Sequence, residues 1–94
     1  MVIPNEVKDA FAIFSDHANK GDRGTHPYDQ DRFYKAVQIA YEHGADMDFP
    51  DFDGLMQSQG WASADARREL ADRFSSAYKM VSYERIGSTF GRNT

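Results

Sequence analysis

Apolar side chains recur at helical spacing in four stretches of the chain, and polar or turn-forming residues fill the positions between them. Steps of three and four residues place each apolar set on one face of an α-helix. The sequence therefore predicts an all-α fold, a compact bundle of about four helices at approximately residues 4–19, 29–43, 50–59 and 63–83. The last of these has the longest apolar stripe, made of Ala66, Leu70, Phe74, Ala77, Tyr78 and Val81.

The residues between the stretches are typical of helix ends. Gly44 and Gly60 stand where a residue with left-handed backbone conformation closes a helix. Asp29 and Ser63 are suited to cap the second and fourth helices, since their side-chain oxygens can accept a backbone N–H bond. The stretch KMVSYERIG, residues 79–87, is also rich in β-forming residues. We favour a helix to about Tyr83, followed by a loose C-terminal tail.

Length and composition predict one globular domain over residues 1–94. The chain is 40% hydrophobic and 14% aromatic, which is enough to form one core. It has no cysteine, so it offers no disulfide or thiolate site, as suits a reducing compartment. No basic leader with an apolar run follows Met1, and no run of membrane-spanning length is present. We expect a cytoplasmic protein that does not enter a membrane.

The charge is unevenly distributed along the chain. The net charge is −4, but residues 1–53 carry eleven acids and five bases, whereas residues 54–94 carry four acids and six bases. Between Lys35 and Arg67 there are six acids and neither lysine nor arginine. This distribution predicts a strongly negative region of the surface between the second and third helices, where four aspartates alternate with apolar residues.

A negative surface studded with aromatic residues favours contact with a basic partner. Our leading hypothesis is a non-enzymatic interaction module, an adaptor or inhibitor, that binds a basic surface of another protein, for example in a nucleic-acid-handling complex. A homodimer through apolar residues outside the core is a further option. The candidate partner-binding residues are Asp46, Asp48, Asp51, Asp53, Phe49, Ile39, Tyr34 and Trp61. Among the aspartates, Asp46 and Asp48 lie furthest from the first turn of the third helix and are the strongest candidates.

The three apolar candidates have different grounds. Ile39, like Ile13, falls roughly 100° or more from the centre of its helix's core stripe, and Tyr34 flanks the stripe on the other side. Trp61 could be an exposed binding residue. We favour a wedge between the third and fourth helices for Trp61, because it stands just before the Ser63 cap.

The residues do not indicate a metal site, a cofactor or catalysis. Asp51, Asp53 and Gly54 would match the third, fifth and sixth positions of a calcium-binding EF-hand loop, but Phe49 and Gly60 would then stand at the two anchoring positions. The three histidines lack the spacing of a helical zinc site. No nucleophile elbow and no glycine-rich phosphate loop is present, so we expect no enzymatic activity.

An alternative function is that of a DNA-associated regulator using the basic residues of the last helix. Arg67, Arg68, Arg73 and Lys79 would carry that contact. Acids are interleaved with these bases, which favours ion pairing on a solvated helix face instead. We therefore do not expect nucleic acid to be the partner.

Two family resemblances bear on function. A small acidic four-helix chain resembles an acyl carrier protein in outline, but Asp53-Gly54-Leu55 stands where that family has the serine that carries its prosthetic group. The stretch FYKAVQIAYEHGADMDFPDFDGL, residues 33–55, resembles the helix–glycine–helix of leader domains on some ribosomally made bacterial peptide precursors. This second resemblance implies another alternative, a leader-like domain of a peptide precursor.

Overall fold

The computed structural model describes residues 1–17 and 30–91, with the side chains of the last helix as far as Ile86. Within these residues the chain forms four α-helices and no strand. The helices are α1 (Asn5–Asp16), α2 (Gln30–Glu42), α3 (Phe49–Ser58) and α4 (Ala64–Gly91). The prediction of an all-α four-helix bundle is confirmed. The predicted cap at Asp29 and the end of the first helix near residue 19 lie outside the described residues.

The turns between the helices follow the predicted helix-end chemistry. Gly44 and Gly60 have positive φ angles of 66° and 95°, so both adopt the left-handed conformation expected after a helix. The backbone N–H of Ala66 donates to Ser63 Oγ at 3.2 Å, which confirms the cap of α4. α3 begins one residue earlier than predicted, because Asp48 acts as its N-cap.

α4 is longer than predicted. It does not end at Tyr83 but continues to Gly91, so the predicted boundary and the strand interpretation of residues 79–87 are wrong. Val81 is 1% exposed and keeps the helical spacing of the core stripe, and this packing outweighs the local β-propensity. Beyond it, Arg85 donates to Glu42 of α2 at 3.0 Å and Glu84 accepts a hydrogen bond from the Tyr34 hydroxyl, so side chains of α2 hold the extension.

One phenylalanine from each helix meets at the centre of the bundle. The ring of Phe11 in α1 lies 5.9 Å from Phe33 in α2, 5.6 Å from Phe52 in α3 and 5.9 Å from Phe74 in α4. Phe52 and Phe74 also stack on each other at 5.0 Å. Each of these rings is at most 4% exposed. Aromatic pairs of this kind stabilise a core beyond their buried area, so Phe11 joins all four helices.

A buried polar network joins α1 to the turn between α3 and α4. Trp61 Nε1 donates to Ser15 Oγ at 2.9 Å, and Ser15 Oγ donates to Gln59 Oε1 at 2.8 Å. Gln59 Nε2 in turn donates to the carbonyl of Lys8 at 3.1 Å. Ser15 is only 1% exposed, so its hydroxyl cannot bond to water. Its hydrogen bonds to Trp61 and Gln59 satisfy it instead. The network fixes the turn against α1.

Candidate protein-interaction surface

The segment between α2 and α3 alternates between buried and exposed side chains. Ala45 and Met47 are 2% and 5% exposed and belong to the core, whereas Asp46 and Asp48 between and after them are exposed. Two buried anchors thus fix the positions of two outward carboxylates on a short, ordered turn. We call Asp46, Asp48 and Phe49 the acidic corner.

Asp48 of the acidic corner and the nearby Asp51 also have contacts within the chain. Asp48 Oδ1 accepts the backbone N–H of Asp51 at 3.3 Å, which is the N-cap of α3. The Asp51 carboxylate is partly buried and lies 3.8 Å from the N-terminal amino group of Met1. Asp48 therefore both caps a helix and faces solvent, while the charge of Asp51 is offset locally.

Asp53 and Arg67 form a partly buried ion pair. Arg67 Nε lies 2.7 Å from Asp53 Oδ1, and the two side chains are 11% and 22% exposed. Arg67 Nη1 also donates to the carbonyls of Trp61 at 2.8 Å and Ala62 at 3.0 Å. Both side chains are therefore engaged within the chain: the Asp53 carboxylate is paired with Arg67, and the guanidinium of Arg67 is held in the turn before α4.

Phe49 is the apolar part of the acidic corner. Its side chain is 42% exposed although it is a large aromatic residue at the first position of α3. The guanidinium of Arg68 lies 5.0 Å from the ring centroid, a distance at which a cation is attracted by the face of the ring. Arg68 therefore borders the corner.

Asp46 lies close enough to Tyr78 to affect its ionisation. Burial raises the pKa of the Tyr78 hydroxyl above its ordinary value of 10.0, and the negative charge of Asp46 and the neighbouring Tyr41 raise it further. The rings of Tyr41 and Tyr78 are 5.4 Å apart, which places α4 against the end of α2. The acidic corner thus adjoins the contact between α2 and α4.

Three predicted partner-binding residues take part in internal packing. Trp61 is 3% exposed and stacks on Phe14 of α1 at 5.8 Å, so it is buried against α1 and is not an exposed binding residue. Ile39 and Tyr34 are partly buried and pack against the core. Ile39 is thus less exposed than its angle from the core stripe indicated, because its side chain packs against the core. The same angle argument was right for Ile13, which is 54% exposed.

The remaining basic candidates lie on the surface of α4. Arg73 pairs with Glu69 at 3.3 Å, four residues away on the same helix, and both side chains are exposed. Arg68 and Lys79 are also exposed. Without Arg67, the basic set predicted for nucleic-acid contact is reduced to Arg68, Arg73 and Lys79.

A second exposed region runs along α2 and α4. A groove of about 650 Å³ between the two helices is lined by apolar and uncharged polar residues and by two acids and two bases, Asp31, Asp72, Lys35 and Arg73. Met80 borders this groove and is 56% exposed, and Tyr83 and Ile86 further along α4 are 72% and 48% exposed. We call Met80, Tyr83 and Ile86 the outer stripe of α4.

No metal-binding cluster occurs in the described part of the chain, residues 1–17 and 30–91: nowhere there do three His, Asp or Glu side chains meet as ligands. Nor is any helix in those residues both long enough and apolar enough to span a bilayer. Of the residues described, every buried side-chain nitrogen or oxygen has a hydrogen-bond partner.

The sequence contains a signal for two features that it was not used to predict, the ion pair of Arg67 and the polar network of Ser15. At about 100° per residue, Arg67 lies only about 20° from Phe74 around α4, which is the centre of the core stripe. Ser15 follows Phe11 by four residues and shares its face of α1. A polar residue at a core position needs a buried partner, and this requirement could have indicated both networks.

Comparison of the chain with protein-family models, with curated proteins and with solved structures gave no significant match.

Proposed function

We propose that this protein is a non-enzymatic interaction module that binds a basic surface of another protein through the acidic corner, Asp46, Asp48 and Phe49. The observation that supports the proposal most is the alternation between buried Ala45 and Met47 and exposed Asp46 and Asp48. A partner would meet two carboxylates already held in place, so it would not have to order a flexible loop.

Phe49 adds an apolar contact beside the charges. Exposed aromatic residues at the centre of an interface often contribute much of its binding free energy, while charges around them govern the rate and specificity of association. A partner that offers Lys or Arg side chains around an apolar pocket fits this arrangement. Arg68 next to Phe49 would favour a partner that also carries a carboxylate or carbonyl oxygen at that edge.

The test is binding of a partner captured from extracts of the encoding organism and then purified. The corner variant is Asp46→Asn/Asp48→Asn, in which asparagine retains the N-cap of α3 and only the charge is lost. The matched control is Asp9→Asn/Asp16→Asn, which removes the same charge from exposed positions on α1. We expect the corner variant to bind at least about tenfold more weakly, and the control about as well as the wild type.

Two further measurements separate the contributions. Phe49→Ala is expected to weaken binding at every salt concentration, because its contact is apolar. The loss caused by the corner variant is expected to shrink as salt rises from about 50 to about 300 mM, since screening already weakens exposed charges there. Equal binding of the wild type and the corner variant to the purified partner at low salt would refute the proposal.

A further inference from the structure

We propose that Arg68 occupies, in the free chain, a guanidinium site on Phe49 that an arginine of the basic partner takes over in the complex. The guanidinium carbon of Arg68 lies 5.0 Å from the centroid of the Phe49 ring, within the distance at which a ring face attracts a cation. Phe49 belongs to the acidic corner, so the exchange rests on the proposed function. It adds the side chain that the partner inserts and the side chain that competes with it.

Arg68 lies on the ring and not against a carboxylate. On α4, Asp65 precedes Arg68 by three residues and Asp72 follows it by four, the two spacings at which ion pairs form along a helix. Arg73 on the same helix makes such a pair with the acid four residues before it, at 3.3 Å. Arg68 forms no ion pair with a carboxylate of the described residues and contacts the ring of Phe49 instead. The ring therefore holds a guanidinium although two acids stand at pairing distance along the helix.

A partner can replace Arg68 without disturbing the fold. Phe49 is 42% exposed, and Arg68 is exposed as well. A cation–π contact at an exposed site is weak, so it gives way to a guanidinium that has a second attraction at the same place. Asp48 directly precedes Phe49 in the acidic corner. A partner's arginine is not tied to α4, so it can pair with this carboxylate while it lies on the ring.

The planar shape of the guanidinium makes arginine the residue that this site selects. Its face lies on the aromatic ring while the N–H groups at its edge still donate to a carboxylate. A lysine ammonium is a compact, strongly hydrated point charge and cannot make both contacts in this way. The site therefore predicts a partner that presents arginine in preference to lysine.

The displaced Arg68 can donate to the carboxylate or carbonyl oxygen that the partner carries at this edge. Arg68→Gln separates this contact from the competition for the ring, because the glutamine amide retains an N–H donor but places no cation on Phe49. The substitution is therefore expected to strengthen binding, although it removes a contact of the free chain.

Hexa-arginine and hexalysine peptides with blocked ends are the probes, and NMR titration of the full chain at about 50 mM salt measures their affinities. We expect the wild type to bind hexa-arginine about threefold more tightly than hexalysine, and Arg68→Gln to bind hexa-arginine about threefold more tightly than the wild type. Equal binding of the two peptides by the wild type would overturn the selection of arginine.

Lys79→Gln is the matched control. Lys79 is exposed and stands eleven residues after Arg68, within about 20° of it around α4, so the variant loses the same charge from the same face. It should gain less than Arg68→Gln, since only the general change in charge acts. In the background of Phe49→Leu, Arg68→Gln should gain no more than Lys79→Gln, because the ring is absent.

The contact itself is observed in the NMR signals of the Arg68 side chain. In the free wild type, the ring of Phe49 should shift these signals upfield relative to Phe49→Leu, and saturation with hexa-arginine should move them toward the Phe49→Leu position. Equal gains of Arg68→Gln and Lys79→Gln would overturn the exchange. Signals of Arg68 that stay in place in Phe49→Leu, or with about 5 mM hexa-arginine, would overturn it as well.

The corner variant, Asp46→Asn/Asp48→Asn, separates the acidic corner from the exchange. If it loses hexa-arginine while Arg68→Gln and Lys79→Gln bind alike, the acidic corner stands and the exchange fails. If it binds hexa-arginine like the wild type while Arg68→Gln still gains, the exchange on the ring stands and the acidic corner fails.

Discussion

Arg67 and Asp53 are joined at 2.7 Å between Nε and Oδ1, across the turn that separates α3 from α4. The same guanidinium donates from Nη1 to the carbonyls of Trp61 and Ala62, which have no helical N–H partner in that turn. One side chain thus closes the turn and pairs with the preceding helix. A planar guanidinium with several fixed donors can make these bonds together, whereas a lysine ammonium cannot match that geometry.

Replacing Arg67 is therefore expected to destabilise the fold. In Arg67→Met, the aliphatic volume is kept but Asp53 loses its cation and two carbonyls lose their donor. Breaking a buried ion pair usually costs about 3–5 kcal/mol, and this pair is partly exposed, so we expect a loss of about 2–3 kcal/mol in the free energy of unfolding. Urea unfolding followed by Trp61 fluorescence measures it.

The control for this substitution is Lys79→Met, which removes a cation from an exposed position on the same helix. Its effect is expected to stay within about 0.5 kcal/mol. A similarly small effect of Arg67→Met would mean that water replaces the guanidinium in the turn. A double-mutant cycle with Asp53→Asn then separates the ion pair from the two carbonyl bonds.

The sequence predicted the features that depend on neighbouring residues. Helical spacing gave four helices, and the caps at Gly44 and Ser63 were correct because cap chemistry is decided within a few residues. The length of α4 could not be found in this way. Its extension is held by contacts of Glu84 and Arg85 with α2, more than forty residues earlier in the chain.

The candidate site was predictable only in part, because it too depends on contacts between residues that are distant in the sequence. Which aspartates face solvent depends on what the folded chain places beside them: α4 brings Arg67 to Asp53, and the N-terminal amino group approaches Asp51. The exposure of Asp46 and Asp48 agrees with their distance from the first turn of α3, although Asp48 also serves as its cap. Their role in binding remains a prediction.

Ser15→Ala tests the buried polar network. The substitution leaves Trp61 Nε1 and Gln59 Oε1 without the hydroxyl that each bonds at 2.9 and 2.8 Å. A buried group without its partner costs about 1–3 kcal/mol, and we expect a loss of about 1–2 kcal/mol together with a shift of Trp61 emission. Ser75→Ala, at an exposed position of α4, is the control and should alter neither stability by more than about 0.5 kcal/mol nor the emission.

Two glycine-to-alanine substitutions are expected to have opposite signs. Gly44 has a φ of 66° and nothing within 4 Å of an added Cβ, so Gly44→Ala should cost about 1 kcal/mol through backbone conformation alone. Gly54 lies within α3, also with open space, and Gly54→Ala should stabilise the protein by about 0.5–1 kcal/mol. Thermal unfolding of both variants, compared with the wild type, measures the difference. Effects of the same sign would contradict this account.

Tyr78 should make stability fall at alkaline pH. Burial, followed by the charge of Asp46, raises its pKa in the folded chain above 10.0. From about pH 10 upward the unfolded chain therefore loses the hydroxyl proton while the folded chain retains it, so the free energy of unfolding decreases as pH rises. Below pH 10 both states hold the proton and this group contributes no pH dependence.

Comparison with Tyr78→Phe isolates this effect from the titration of other groups. The wild type is expected to lose more stability than the variant between about pH 10 and 11.5, as measured by urea unfolding at each pH. Asp46→Asn should leave a smaller difference, since it removes the second cause of the raised pKa and retains the first, burial. Identical pH profiles for the wild type and Asp46→Asn would mean that the Asp46 carboxylate is too well solvated to act on Tyr78. The same solvation would favour its availability to a basic partner.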